Sequence, residues 1–348
     1  MDVRRLSKIK AVFPRMLILG AVILLVAASS ACQLRGDQKG TIVLYGFSIM
    51  EDVLKEEIIP AFQKDWEEKN GEEVTFITSF AGSGTITNQI VFGAPGQIAM
   101  VATEMDALRI KDAGFVVTDW RSFPNEGTYA YTITCIVTRE GNPKGIQSFE
   151  DLTKQGVEVV YPDPTTSGGA QWGILALYGS ALRTTEAAIG GPDQAYARDL
   201  LKRVSLNTNN LPESARRALT QFSLGYGDVL LSYENEALYD ISSGKEYEIV
   251  VPESTIYIEP KVVIVDKNVA ESEKEVVRAF VDFLWTEEAQ EAFVRYQFRV
   301  ADEGLSQEYA TKYATVELPF TIDYLGGWQE ATSTIIDQIW RQIQREIK

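Results

Sequence analysis

The sequence predicts an α/β fold built from two units, on three observations. β-rich segments alternate with helical ones through both halves of the chain. A glycine- and serine-rich loop sits at a strand-to-helix junction in each half, at 81–85 and at 165–170. The length of 348 residues and the hydrophobic content of 45% allow a large core shared between two domains.

Residues 41–45 are short and β-rich and read as the first strand. Gly46-Phe47-Ser48 then turns into a helix with Glu51 and Asp52 in its first turn, where the helix dipole favours acid. Val53, Ile58, Ile59, Phe62 and Trp66 give that helix an apolar face. Strands at 74–79 and 98–103 and helices at 85–92 and 106–113 complete a unit whose alternation predicts a parallel sheet. A second unit starts near 125, with a long strand at 129–138 and the turn Gly141-Asn142-Pro143. Its strands are expected at 157–161, 228–233 and 247–251, and its helices at 170–179 and 194–204, with another starting at 149–152. A β-rich segment at 262–265 precedes helices at 273–285 and 287–296. The C-terminal helix carries Ile335, Ile336, Ile339, Trp340, Ile343 and Ile347 on one face, which reads as a core contact.

The N-terminus is a separate problem. Arg4, Arg5, Lys8, Lys10 and Arg15 precede an apolar run at 16–28. That run falls short of the roughly 20 residues a spanning helix needs, and it fits a secretory signal core. Ser29, Ser30 and Ala31 are small, as before the cysteine of a bacterial lipobox, although Ser29 stands where that motif has leucine. The expectation is a lipoprotein signal peptide at 1–31, lipid attachment at Cys32 and a linker at 32–39. An ordinary signal peptide or an uncleaved anchor, with Cys32 incidental, is the alternative. Cys135 lies in an apolar run and reads as a small buried hydrophobe, so the mature chain has no disulfide to form.

Charge and composition exclude several function classes. The chain holds 33 basic and 49 acidic residues, net −16, and loss of 1–31 leaves 28 against 48, net −20. A chain so acidic has little to offer nucleic acid, whose binding rests on a basic surface. There are 0 histidines, which closes Ser-His-Asp and Cys-His catalysis and histidine-based zinc sites. No cofactor or metal site is expected.

The two loops carry the chemistry. Ala81-Gly82-Ser83-Gly84-Thr85 and Thr165-Thr166-Ser167-Gly168-Gly169-Ala170 each follow a strand and open a helix. The start of a helix offers unpaired N–H groups and about half a positive charge. Glycine lets those groups approach a ligand, and serine adds a hydroxyl, so each loop is a candidate anion site. Facing one another across a cleft, the pair would hold an anion with no countercharge. The simpler alternative is that both are tight turns with serine N-caps. Neither loop is a Walker motif, and neither is a nucleophile elbow.

Several stretches resemble the bacterial sulfate/thiosulfate-binding proteins of ABC importers. They are Gly82-Ser83-Gly84, Arg139 to Gly145, Pro164 to Trp172, Gly227 to Leu230 with Glu234 to Leu238, Val265-Asp266-Lys267, and Phe320 to Asp323 with Gly326-Gly327-Trp328. They run in order through nearly all of the mature chain. The resemblance implies a two-lobed type II periplasmic-binding-protein fold with the ligand cleft between lobes. Lobe I would hold 40–124 and 259–348, lobe II 125–258, with crossing strands near 125–135 and 255–262.

The resemblance also implies the ligand set. The backbone N–H groups of Ser48, Ser83, Gly168, Gly169 and Ala215 and the hydroxyl of Ser167 would hold the anion. Tyr233 stands where the family has a tryptophan, and Ser48 where it has an aspartate. Arg216 matches a family arginine and would orient the Ala215 loop. A donor-only pocket suits sulfate, which carries no proton, better than phosphate, which does. Glu234 is expected to be turned away from Tyr233 by strand alternation. Charge-assisted hydrogen bonds contribute roughly 1.5–3 kcal/mol each, so a handful reach the about 8 kcal/mol of a micromolar complex.

The implied function is a lipid-anchored, extracytoplasmic, monomeric receptor that passes sulfate or thiosulfate to a membrane permease and ATPase complex. A binder of molybdate, tungstate or phosphate, or a hydrolase on the same lobes, is the alternative reading.

Overall fold

The computed structural model describes residues 40–301 and 308–347. The expected signal peptide, linker and Cys32 lie outside them. No helix among the described residues is long and apolar enough to cross a membrane.

Two sheets organise the chain. The first has the order β2-β1-β3-β9, from β1 (Thr41–Phe47), β2 (Thr75–Ala81), β3 (Ile98–Val101) and β9 (Lys261–Ile264). The second runs β10-β4-β6-β5, from β4 (Ala130–Arg139), β5 (Val159–Val160), β6 (Val229–Tyr233) and β10 (Arg299–Val300). Strands β7 (Tyr247–Val250) and β8 (Tyr257–Ile258) also pair with β4. β3 is buried at every position, which fits its uniformly apolar sequence, IAMV.

The parallel pairing expected of the first unit holds between β1 and β3, and both sheets are mixed through their other strands. β1 and β3 are parallel, as are β5 and β6, but β9 runs antiparallel to β3. β4 runs antiparallel to β6, β7, β8 and β10. Parallel pairing needs a crossover element of a dozen or more residues. The chain enters β9 from β8, a strand of the second sheet, through residues 259–260 alone.

Among the described residues ten helices longer than a single turn surround the sheets. α1 is one continuous run through Ser48–Met50, Glu51–Val53, Leu54–Ile58 and Ile59–Asn70, ended by Gly71 at φ 68°. α2 is Ser83–Val91 and α3 is Glu104–Asp112, the latter N-capped by Thr103. α4 is Gly168–Ile189, α5 is Gln194–Leu206, α6 is Ala215–Ser223 and α7 is Glu234–Ser242. α8 is Lys274–Phe283 and α9 is Glu287–Arg295. α10 runs through Gly327–Glu330, Ala331–Trp340 and Arg341–Ile347. Its Ile335, Ile336, Trp340 and Ile343 are buried, and it packs on α4 and α5.

Several boundaries differ from those expected. α2 starts at Ser83 rather than 85, and α4 starts at Gly168 and runs ten residues past 179. Ala215 opens a helix rather than sitting in a loop, and Glu234 opens α7 rather than extending β6. The helix expected from 149 is a single 3₁₀ turn, Glu150–Thr153. Gly and Ser in a first turn look like loop residues by propensity, yet a first turn needs no intrahelical N–H bonds and tolerates them. Cys135 is fully buried in β4 and unbonded, as expected.

Candidate functional site

Four helix starts meet at one place. Gly82, just before α2, approaches the loops ahead of α4 and α6 so closely that a Cβ on it would lie 2.3 Å from the Thr166 carbonyl oxygen and 2.6 Å from that of Glu213. A Cβ on Gly168 would lie 3.3 Å from the Cβ of Ser83. The Thr85 N–H reaches the Thr166 carbonyl at 3.3 Å, and the Thr166 hydroxyl donates to the Glu213 carbonyl at 2.9 Å. The start of α1 packs against α6, and Phe47 lies 6.2 Å from the Tyr233 ring. Ser48, Ser83, Ser167, Gly168, Gly169, Ala215 and Tyr233 therefore border one small region, and all seven but Gly169 are buried.

Each donor is set by its own sequence. The Ser167 N–H bonds back to the Asp163 carbonyl at 2.8 Å, while the Asp163 carboxylate accepts from the Thr165 N–H at 2.8 Å and hydroxyl at 2.7 Å. This Asx turn aims the first turn of α4, a long helix, at the junction. The Ser167 hydroxyl does not cap its own helix, so it is free for another acceptor. Ser214, by contrast, spends its side chain capping α6 through the Arg217 N–H. Ser83 spends its hydroxyl too: it donates to Asp106 at 2.6 Å and accepts from the Ala102 N–H at 2.9 Å. What Ser83 can offer a ligand is its backbone N–H. Gly168 and Gly169 are required because a side chain at either would meet Ala102 at 2.6 Å or the Tyr233 ring at 2.9 Å.

The nearby charges are already paired. The Arg216 guanidinium bonds Asp52 at 2.6 Å and Glu236 at 2.7 Å, and the adjacent Glu236 carboxylate, with Asp52, holds its pKa above the ordinary value despite burial. Glu234 is turned away from Tyr233 not by strand alternation but by Arg299, which grips it at 2.7 and 2.9 Å. Burial raises the Asp106 carboxyl above the usual range, opposed by its bonds from Ser83 and Thr103 and by Arg109. The Tyr233 phenol is pushed well up by burial, with Glu236 and Asp106 adding to it. Its hydroxyl is buried and has no hydrogen-bond partner.

Sequence reasoning missed three residues here. Asp106 anchors Ser83 from 23 positions away. Trp172 donates its indole N–H to the Ala102 carbonyl at 2.7 Å, tying the start of α4 to the end of β3. Asp52 holds Arg216. Buried carboxylates and an indole that needs a partner were the available signals, but their partners are remote in sequence.

Two α/β sheets that meet over helix starts define the class: a two-lobed type II periplasmic-binding-protein fold. A model of the bacterial extracellular solute-binding protein family matches residues 42–299, and the chain belongs to that family. It is 37% identical over 278 residues to a sulfate-binding protein of Synechococcus elongatus, covering 78% of this chain and 77% of that one. It is 30% identical over 308 residues to a thiosulfate-binding protein of Pseudomonas aeruginosa, covering 84% and 90%. Among solved structures, the sulfate-binding protein SubI of Mycobacterium tuberculosis superposes with a TM-score of 0.76 at 29% identity, covering 84% of this chain and 98% of that one.

Proposed function

We propose that this chain is an extracytoplasmic receptor for sulfate or thiosulfate that serves an ABC importer. The anion is held by the backbone N–H groups of Ser48, Ser83, Gly168, Gly169 and Ala215 and by the hydroxyls of Ser167 and Tyr233. The observation that carries the reading is the approach of Gly82 and Ser83 to the loops opening α4 and α6, which brings unpaired helix-start donors together. The partial charges of those helix starts favour an anion, and Arg216 is committed to Asp52 and Glu236, so no cationic side chain is needed.

Residues 40–124 with 259–348, and residues 125–258, form the lobes that close on the anion, with β10 pairing with β4 of the second sheet and α10 packing on α4 and α5. The relatives named for sulfate and thiosulfate binding support this ligand, and we read the chain as a binding protein rather than an enzyme. Lipid on Cys32 holds the monomer at the membrane, beside the permease and ATPase complex it supplies.

Calorimetric titration tests the reading. Sulfate or thiosulfate should bind with micromolar or tighter affinity, and Ser167→Ala should weaken it. Absence of binding by both anions, with the protein folded, refutes it.

A further inference from the structure

Tyr233 carries chemistry that the backbone donors lack. N–H groups only donate, whereas a phenol hydroxyl donates one hydrogen and accepts through two lone pairs. The Tyr233 side chain is 2% exposed, yet its hydroxyl meets no partner. Such an orphan is costly unless something fills the gap. The hydroxyl lies 3.0 Å from where a Cβ on Gly169 would stand, so it faces the second residue of α4. A cavity of ≈ 10 Å³ is lined by Tyr233, Gly169, Ala215 and Thr134, the residue paired with Tyr233 across the β4–β6 ladder. That is about the space one water takes. The cavity shares Gly169, Ala215 and Tyr233 with the assigned anion site and so adjoins it.

We propose that Tyr233 admits singly protonated tetrahedral oxyanions, hydrogen phosphate and its analogues, alongside fully ionised ones. Toward sulfate the hydroxyl donates. Toward a P–OH group it accepts, while its own proton points to a water in the cavity. Burial and the neighbouring carboxylates of Glu236 and Asp106 keep the phenol protonated in both modes. The inference rests on the anion-binding reading above and adds the ligand's protonation state to it. Among the assigned groups only the hydroxyls of Tyr233 and Ser167 can accept, and a site in which both only donated would bury the P–OH proton unpaired and reject hydrogen phosphate.

The test is calorimetric titration at pH 8 with three probes: sulfate, inorganic phosphate and monofluorophosphate, a dianion of similar shape without a proton. The wild-type chain should bind sulfate and phosphate within about tenfold of each other. Tyr233→Trp, whose indole only donates, should keep sulfate and monofluorophosphate while phosphate weakens by about tenfold or more relative to them. Wild-type protein that binds sulfate but takes phosphate more than about a thousandfold more weakly overturns this inference and leaves the receptor reading intact. Failure to bind any of the three overturns the receptor reading itself. Should the indole not fit at 233, the wild-type ratio alone decides.

Discussion

Gly82→Ala isolates the meeting of the loops from the stability of each half. The backbone at Gly82 has φ −58° and ψ 141°, which alanine adopts without strain. The added methyl would lie 2.3 Å from the Thr166 carbonyl oxygen and 2.6 Å from that of Glu213. Both obstacles are backbone, so the loops must part by about 1 Å to reach ordinary contact. Overpacking of this kind costs roughly 1–3 kcal/mol. On the proposed hinge the cost is charged to the closed, donor-converged form alone. At about 3 kcal/mol the anion affinity falls roughly a hundredfold. Calorimetry measures that loss, and thermal unfolding without anion measures the control, expected unchanged within about 1 °C. Affinity within twofold of wild type would refute the argument that the approach of these loops makes the site.

Other consequences follow from single contacts. Ser167→Ala removes one hydroxyl donor to a charged guest and should weaken sulfate binding by about 1.5–3 kcal/mol, read by calorimetry. Arg299→Ala strands the buried Glu234, gripped at 2.7 and 2.9 Å, and should lower unfolding free energy in denaturant by about 3–5 kcal/mol. The Asp106 carboxyl, raised by burial, keeps in the native state a proton that the unfolded chain gives up. Its contribution to stability is full below about pH 4 and is lost as pH rises through the raised value. The stability of wild type relative to Asp106→Asn should therefore fall as pH rises above about 4, measured by denaturant titration at each pH.

The parts of the molecule legible in sequence were those governed by local physics. The stripe in α10 and the apolar run of β3 announced themselves by periodicity and burial. The two Gly-Ser loops announced themselves because glycine at a strand-to-helix junction signals close backbone approach. What stayed hidden depended on partners far along the chain. The antiparallel direction of β9 on β3 left no signal, because apolar pattern reports burial and not strand direction. The helical state of Gly168 was masked by glycine's low helix propensity, whereas Ala215-Arg216-Arg217-Ala218 are good helix formers whose helix was legible and went unread. Asp106 and Asp52 gave no local sign that one would hold Ser83 and the other Arg216.

The central claim is that neutral donors at helix starts hold a tetrahedral oxyanion. The direct measurement is a crystal structure of the chain grown with sulfate. The account predicts the anion among Ser83, Ser167, Gly168, Gly169 and Ala215, within hydrogen-bond distance of their N–H groups, while Arg216 stays on Asp52 and Glu236. Sulfate seated on Arg216 or another cationic side chain, with those N–H groups directed elsewhere, would contradict it.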